Sequence, residues 1–141
     1  MNQQSLSITA YREGHECYIK LAGSLTLPRC EDLSADVARV VSKDDKTVII
    51  GLQLLEFVDS AGLGMLIQIN SKMKRDKRDL VFIEPGAQVF GLMKLAKIDL
   101  VIPIQTGEAG LEVVQRLEQV ASQVFPEREV GPAAEGKAEA A

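Results

Sequence analysis

A chain of 141 residues and 15.3 kDa, 46% hydrophobic and 26% charged, suits one domain around a single core. Its 16 basic against 20 acidic residues give a net charge of −4, which excludes a general nucleic-acid binder with a basic footprint. No Trp and only six other aromatic residues argue equally against a base-stacking platform.

The N-terminus, MNQQSLS, has no basic patch followed by an apolar core. No apolar run approaches the roughly 18 residues that span a bilayer. A cytoplasmic protein without membrane insertion is expected.

Leu6, Ile8 and Ala10 alternate with Ser5, Ser7 and Thr9. Cys17, Ile19 and Leu21 alternate with Glu16, Tyr18 and Lys20. Both stretches predict strands with one wet face, joined at Arg12-Glu13-Gly14-His15 into an opening hairpin that ends at Gly23. Thr26 is placed to cap a helix with Pro28 in its first turn and Cys30, Leu33, Val37, Val40 and Val41 on its buried face. A polar turn over 43–46 leads into a buried strand over 47–51, centred on Val48-Ile49-Ile50. A link over 52–58 follows.

At Asp59-Ser60 the apolar period changes from two to 3.6. Leu63, Leu66, Ile67 and Ile69 predict a helix from Ser60 to about Arg75, with Ser60 suited to be its N-cap. Asn70 interrupts its apolar face. The cations over 72–78 suit the negative end of the helix dipole. Next come a strand over 80–83, a break at Pro85-Gly86, and a helix marked by Val89, Leu92, Met93 and Ala96. Residues 100–104, with Pro103 inside, predict an edge strand. Thr106 is placed to cap a last helix with Leu111, Val114, Leu117, Val120 or Ala121, and Val124 on its face. From Pro126 the composition turns to Pro, Gly, Ala and Glu, which predicts a disordered tail over 126–141 and a folded domain over 1–125. The element order implies a mixed α/β sheet with helices packed against it.

The chemistry available is narrow. Cys17 and Cys30 have no metal spacing and read as small buried hydrophobes. Val58 stands where the hydrolase elbow G-x-S-x-G has its first glycine. The single histidine, His15, falls in a predicted turn, so an enzyme is not expected. Gly62-x-Gly64 and Glu84 partly fit a dinucleotide fingerprint. However, Ile67 replaces the third glycine and Asp59 puts negative charge where a pyrophosphate would sit.

The string Asp59-Ser60-Ala61-Gly62-Leu63-Gly64, after a strand and a short apolar link, resembles the signature of the STAS domain family of bacterial anti-sigma factor antagonists. The resemblance covers roughly residues 5–125. It implies a STAS-type mixed β-sheet with an opening hairpin and about four α-helices packed mainly on one face. It makes Ser60 the phosphoacceptor of a partner kinase. Asp59, Ala61, Gly62, Leu63 and Met65 then form the partner-binding surface beside it. The implied partner is a kinase-type anti-sigma factor, which carries the ATP; this chain needs no cofactor and no metal. The unphosphorylated form would bind that partner and release the sigma factor, and phosphorylation would end the complex. A phosphatase is a further partner the resemblance allows.

Three positions depart from the family pattern. A G-x-L-D acid is replaced by Thr26, an Asp or Asn ending the central strand by Gly51, and a frequent glycine before the last strand by Lys97. These departures leave open a STAS subunit of a stable assembly, such as a stress-sensing scaffold or a lipid-transporter ATPase complex. A small-ligand or nucleotide sensor also stays open.

Overall fold

The computed structural model describes residues 5–131. The alternating stretches form an antiparallel hairpin, β1 (Leu6–Glu13) and β2 (Glu16–Leu25). A 3₁₀ turn (Leu27–Arg29) leads into α1 (Cys30–Val40). Then come β3 (Thr47–Val58), α2 (Ser60–Arg75), β4 (Asp79–Ile83) and α3 (Ala87–Leu95). A second 3₁₀ turn (Ile98–Leu100), β5 (Ile104–Gln105), α4 (Gly107–Val120) and β6 (Ser122–Glu129) complete the described chain. The sheet order is β5-β4-β3-β2-β1-β6, parallel from β2 to β5 and antiparallel at β1–β2 and β1–β6.

Strand alternation sorts the apolar residues onto two faces. Leu6, Ile8, Cys17, Ile19, Val48, Ile50 and Phe82 share one core with buried residues of α1, α2 and α3. Tyr18, Ile49 and Ile83 point the other way and meet Leu117 of α4. Three helices therefore cover one face and α4 the opposite one.

Three expectations are corrected. Residues 52–58 are not a link: they extend β3 and pair with Ala22, Gly23, Ser24 and Leu25 of β2 beyond the end of β4. Two register shifts break their alternation, which is why they lack a strand pattern. Residues 100–103 are not strand, because the chain there turns through a 3₁₀ segment; the edge strand shrinks to Ile104–Gln105.

The domain boundary at 125 is also too early. Val124 belongs to β6 rather than α4, and β6 carries Pro126 on an outer strand, where its missing N–H is tolerated. Val130 is fully buried and its N–H donates to the Leu6 carbonyl at 2.7 Å. Arg128 pairs with the buried Asp36 at 3.4 Å. The rest of the expected tail, 132–141, lies outside the described residues.

A buried polar knot closes the end of the sheet where β3 and β4 begin. Arg12 donates from Nε and Nη2 to Asp45 at 2.9 and 2.8 Å, and from Nη2 to the Val40 carbonyl. Asp45 also accepts from Ser42 N–H at 2.7 Å, and Arg78 donates to the carbonyls of Asp45 and Ser42. Arg78 thus acts as a clamp on the α1–β3 loop as well as a cation near the end of α2.

Candidate functional site at the start of α2

β3 ends at Val58 and the chain turns directly into α2. Asp59 has extended backbone, and its Oδ1 accepts the Gly62 N–H at 2.8 Å. Aspartate, not the expected Ser60, is therefore the N-cap. Its other oxygen accepts the Leu27 N–H at 3.1 Å, and its own N–H donates to the Leu25 carbonyl at 3.2 Å. One carboxylate thus binds the first turn of α2 to the 3₁₀ turn before α1.

Ser60, released from capping, is the first residue of α2 and is exposed. Its hydroxyl has no hydrogen-bond partner among the described residues. The single histidine lies at the other end of the sheet, its ring on the Asp44 carbonyl, so no imidazole stands beside Ser60.

The two glycines of the motif differ. A Cβ on Gly62 would sit 2.5 Å from the Leu25 carbonyl oxygen and 2.7 Å from a Val58 methyl, so this glycine lets α2 rest against the ends of β2 and β3. A Cβ on Gly64 would meet nothing within 4 Å. Gly64 lies one turn after Ser60, and Ile67 one turn further, on the same exposed side.

The surface expected from Ala61, Gly62, Leu63 and Met65 is therefore narrower. Gly62 and Met65 are buried, Met65 because it falls on the core-facing stripe with Leu66 and Ile69. Ala61 and Leu63 are half-buried and Asp59 is partly exposed. In their place stand residues not expected on this surface. Leu27, held next to Asp59, is 69% exposed, and Phe57, two residues before it, is 44% exposed. Ile67, assigned by its pattern to the buried face, is 39% exposed.

The family departures also have physical counterparts. A Cβ on Gly51 would lie 2.9 Å from the Tyr18 ring, so Tyr18 occupies the space an Asp or Asn would need. Lys97 has φ +60°, the left-handed region that favours glycine. Thr26 precedes the 3₁₀ turn without a side-chain cap, and its Oγ1 is buried unpaired.

Cys17 and Cys30 are buried free thiols. Burial, aided by the Asp45 charge against the opposing Arg12, pushes Cys17 up to about 11. Burial, then the Asp59 carboxylate, raises Cys30. Among the described residues no group of three or more His, Cys, Asp or Glu is placed to hold a metal. None of the described helices is long and apolar enough to cross a membrane.

A six-stranded mixed sheet, an opening hairpin and a helix that begins at an aspartate–serine step define a class, and comparison identifies it. The family model described as "Mlab, STAS domain" matches residues 8–103, and the chain belongs to the STAS domain family. No curated relative matches it by sequence.

Among solved structures, an anti-sigma factor antagonist from Mycobacterium paratuberculosis is similar with a TM-score of 0.66 and 18% identity, over 78% of this chain and 94% of that one. The anti-sigma factor antagonist SpoIIAA in its unphosphorylated form gives 0.58 and 17%, over 79% and 97%. A protein of the DUF3478 family from Shewanella loihica PV-4, with a SpoIIAA-like fold, gives 0.54 and 13%, over 83% and 97%. These likenesses establish a SpoIIAA-like α/β fold.

Proposed function

We propose that the chain is a cytoplasmic anti-sigma factor antagonist controlled by phosphorylation of Ser60. Its unphosphorylated form binds a kinase-type anti-sigma factor and frees the sigma factor. The γ-phosphoryl group of the partner's ATP then passes to Ser60 Oγ, the hydroxyl proton leaves, and ADP is released with the kinase. A phosphatase resets the serine. In this role the chain is a binding module, not an enzyme.

The observation that carries this proposal is an exposed, unpaired hydroxyl on the first residue of α2, with Asp59 doing the capping. Phosphorylation need not unfold such a helix, because N-terminal backbone N–H groups and the dipole favour an anion. Its effect falls on the bound partner. Leu27, Phe57, Leu63 and Ile67 supply apolar contact area near the serine, and Gly64 leaves the helix surface open to close approach. A phosphate brings about −1.5 to −2 charges, with Asp59 already adjacent. Burying it unpaired costs several kcal/mol, and roughly 4 kcal/mol weakens binding about a thousandfold.

The test is incubation with candidate kinase-type anti-sigma factors and ATP, followed by mapping of the phosphate by mass spectrometry. Stoichiometric label on Ser60 is expected, with binding kept in Ser60→Ala and lost in Ser60→Asp. Label confined to other residues rejects the site. A second role, a subunit of a stable STAS assembly, draws on the standing exposure of Leu54 and Phe57 on the far part of β3. Constitutive copurification with one complex, indifferent to Ser60→Ala, selects it.

A further inference from the structure

α2 has 16 residues, so its two ends lie about 24 Å apart, and the end away from Ser60 differs in character. Residues 72–101 hold seven Lys and Arg against four Asp and Glu, in a chain whose overall excess is acidic. Helix-end cations alone are ordinary. What is not ordinary is the corner beside them.

After α3 the chain makes two tight turns: Lys97 N–H donates to the Lys94 carbonyl, and Leu100 N–H to the Lys97 carbonyl. These turns fix Lys97 in the left-handed region, a conformational cost for a residue with a Cβ. They also hold Leu95 82% exposed and Leu100 74% exposed, with Val101 next to them at 52%. Lys94 and Lys97 flank these leucines and are themselves exposed. One cleft is lined by Lys74 of α2 together with Val101 and Pro103, so the apolar corner and this α2 cation share a continuous surface; Arg78 and Asp79 line it too, with Arg78 engaged by the Ser42 and Asp45 carbonyls and Asp76. Asp99 and Asp79 lie in the same region, and Asp76 pairs with Arg78 at 3.2 Å.

We infer that this corner docks the protein on an anionic phospholipid surface. Protruding leucines with lysines beside them suit a soft interface that takes up separate apolar tips and attracts cations. A protein partner would have to present a matching socket for each tip. Docking in this way leaves Ser60, at the opposite end of α2, facing away from the lipid. The inference is independent of whether Ser60 is phosphorylated.

The test is cosedimentation of the full chain with vesicles of phosphatidylcholine alone, or mixed with phosphatidylglycerol. Binding to the mixed vesicles is expected, reduced by salt and weak with phosphatidylcholine alone. Leu95→Ser with Leu100→Ser should weaken it about tenfold or more, and Lys94→Gln with Lys97→Gln about tenfold. Leu111→Ser, on α4 across the sheet, should leave it unchanged. Failure to bind anionic vesicles at low salt overturns the inference, as does binding that all these variants retain. Capture by polyglutamate but not by vesicles overturns it in favour of an acidic protein partner.

Discussion

Asp59, not the expected Ser60, caps α2 and leaves the serine hydroxyl exposed. The carboxylate, with two acceptor oxygens, satisfies N–H groups on two separate elements, whereas a hydroxyl at that position is less able to span both. Asp45 is the other decisive acid. Burial alone would raise its pKa, but the Arg12 hydrogen bonds, the Ser42 N–H and the Arg12 and Arg78 charges outweigh this and hold it below its ordinary value of 3.8. A lowered folded-state value stabilises the fold above the ordinary value and loses that contribution as pH falls through the folded one. The stability advantage of the wild type over Asp45→Asn, read from urea unfolding, should therefore be full near neutrality and shrink below about pH 4. An advantage unchanged down to pH 3 would deny the ion pair its role.

At the scale of the element, α2 shows why a motif glycine cannot be interpreted from sequence alone. Gly62 and Gly64 are two residues apart, yet only Gly62 faces backbone at 2.5 Å. Gly62→Ala should cost about 2 kcal/mol or more, since the Leu25 carbonyl belongs to the sheet and cannot yield cheaply. Gly64→Ala should instead stabilise by roughly 0.5–1 kcal/mol, because it restricts the unfolded chain and meets nothing. Thermal unfolding of the two variants settles the order, and a reversed order would mean that α2 sits differently on β2. The same helix hides Met65 and partly exposes Ile67. Helical spacing marks an apolar stripe but does not fix its edges, which depend on how far the neighbouring strands reach.

For the molecule as a whole, residues 126–130 are structural. A chain ending at Phe125 loses the Val130 side chain from the core, the Arg128–Asp36 pair and the last contacts along β1. Full burial of one valine contributes about 1.5 kcal/mol, and its backbone bond adds to that. Truncation after Phe125 should therefore lower stability by at least about 2 kcal/mol in denaturant titration. A truncated protein as stable as the full chain would restore the boundary at 125. Composition misses this segment because an edge strand draws on the free backbone groups of β1 more than on large apolar side chains of its own.

Local periodicity and turn chemistry were enough to determine the hairpin and the helix after Asp59, and the resemblance of the Asp59–Gly64 string pointed to the family, because each depends on residues close in the chain. Contacts far apart in sequence decided the rest. The length of β3, the pairing of β6, the burial of Gly62 and Met65 and the carboxylate that frees Ser60 all depend on which backbone groups and cavities distant segments bring together, and no local pattern encodes that meeting.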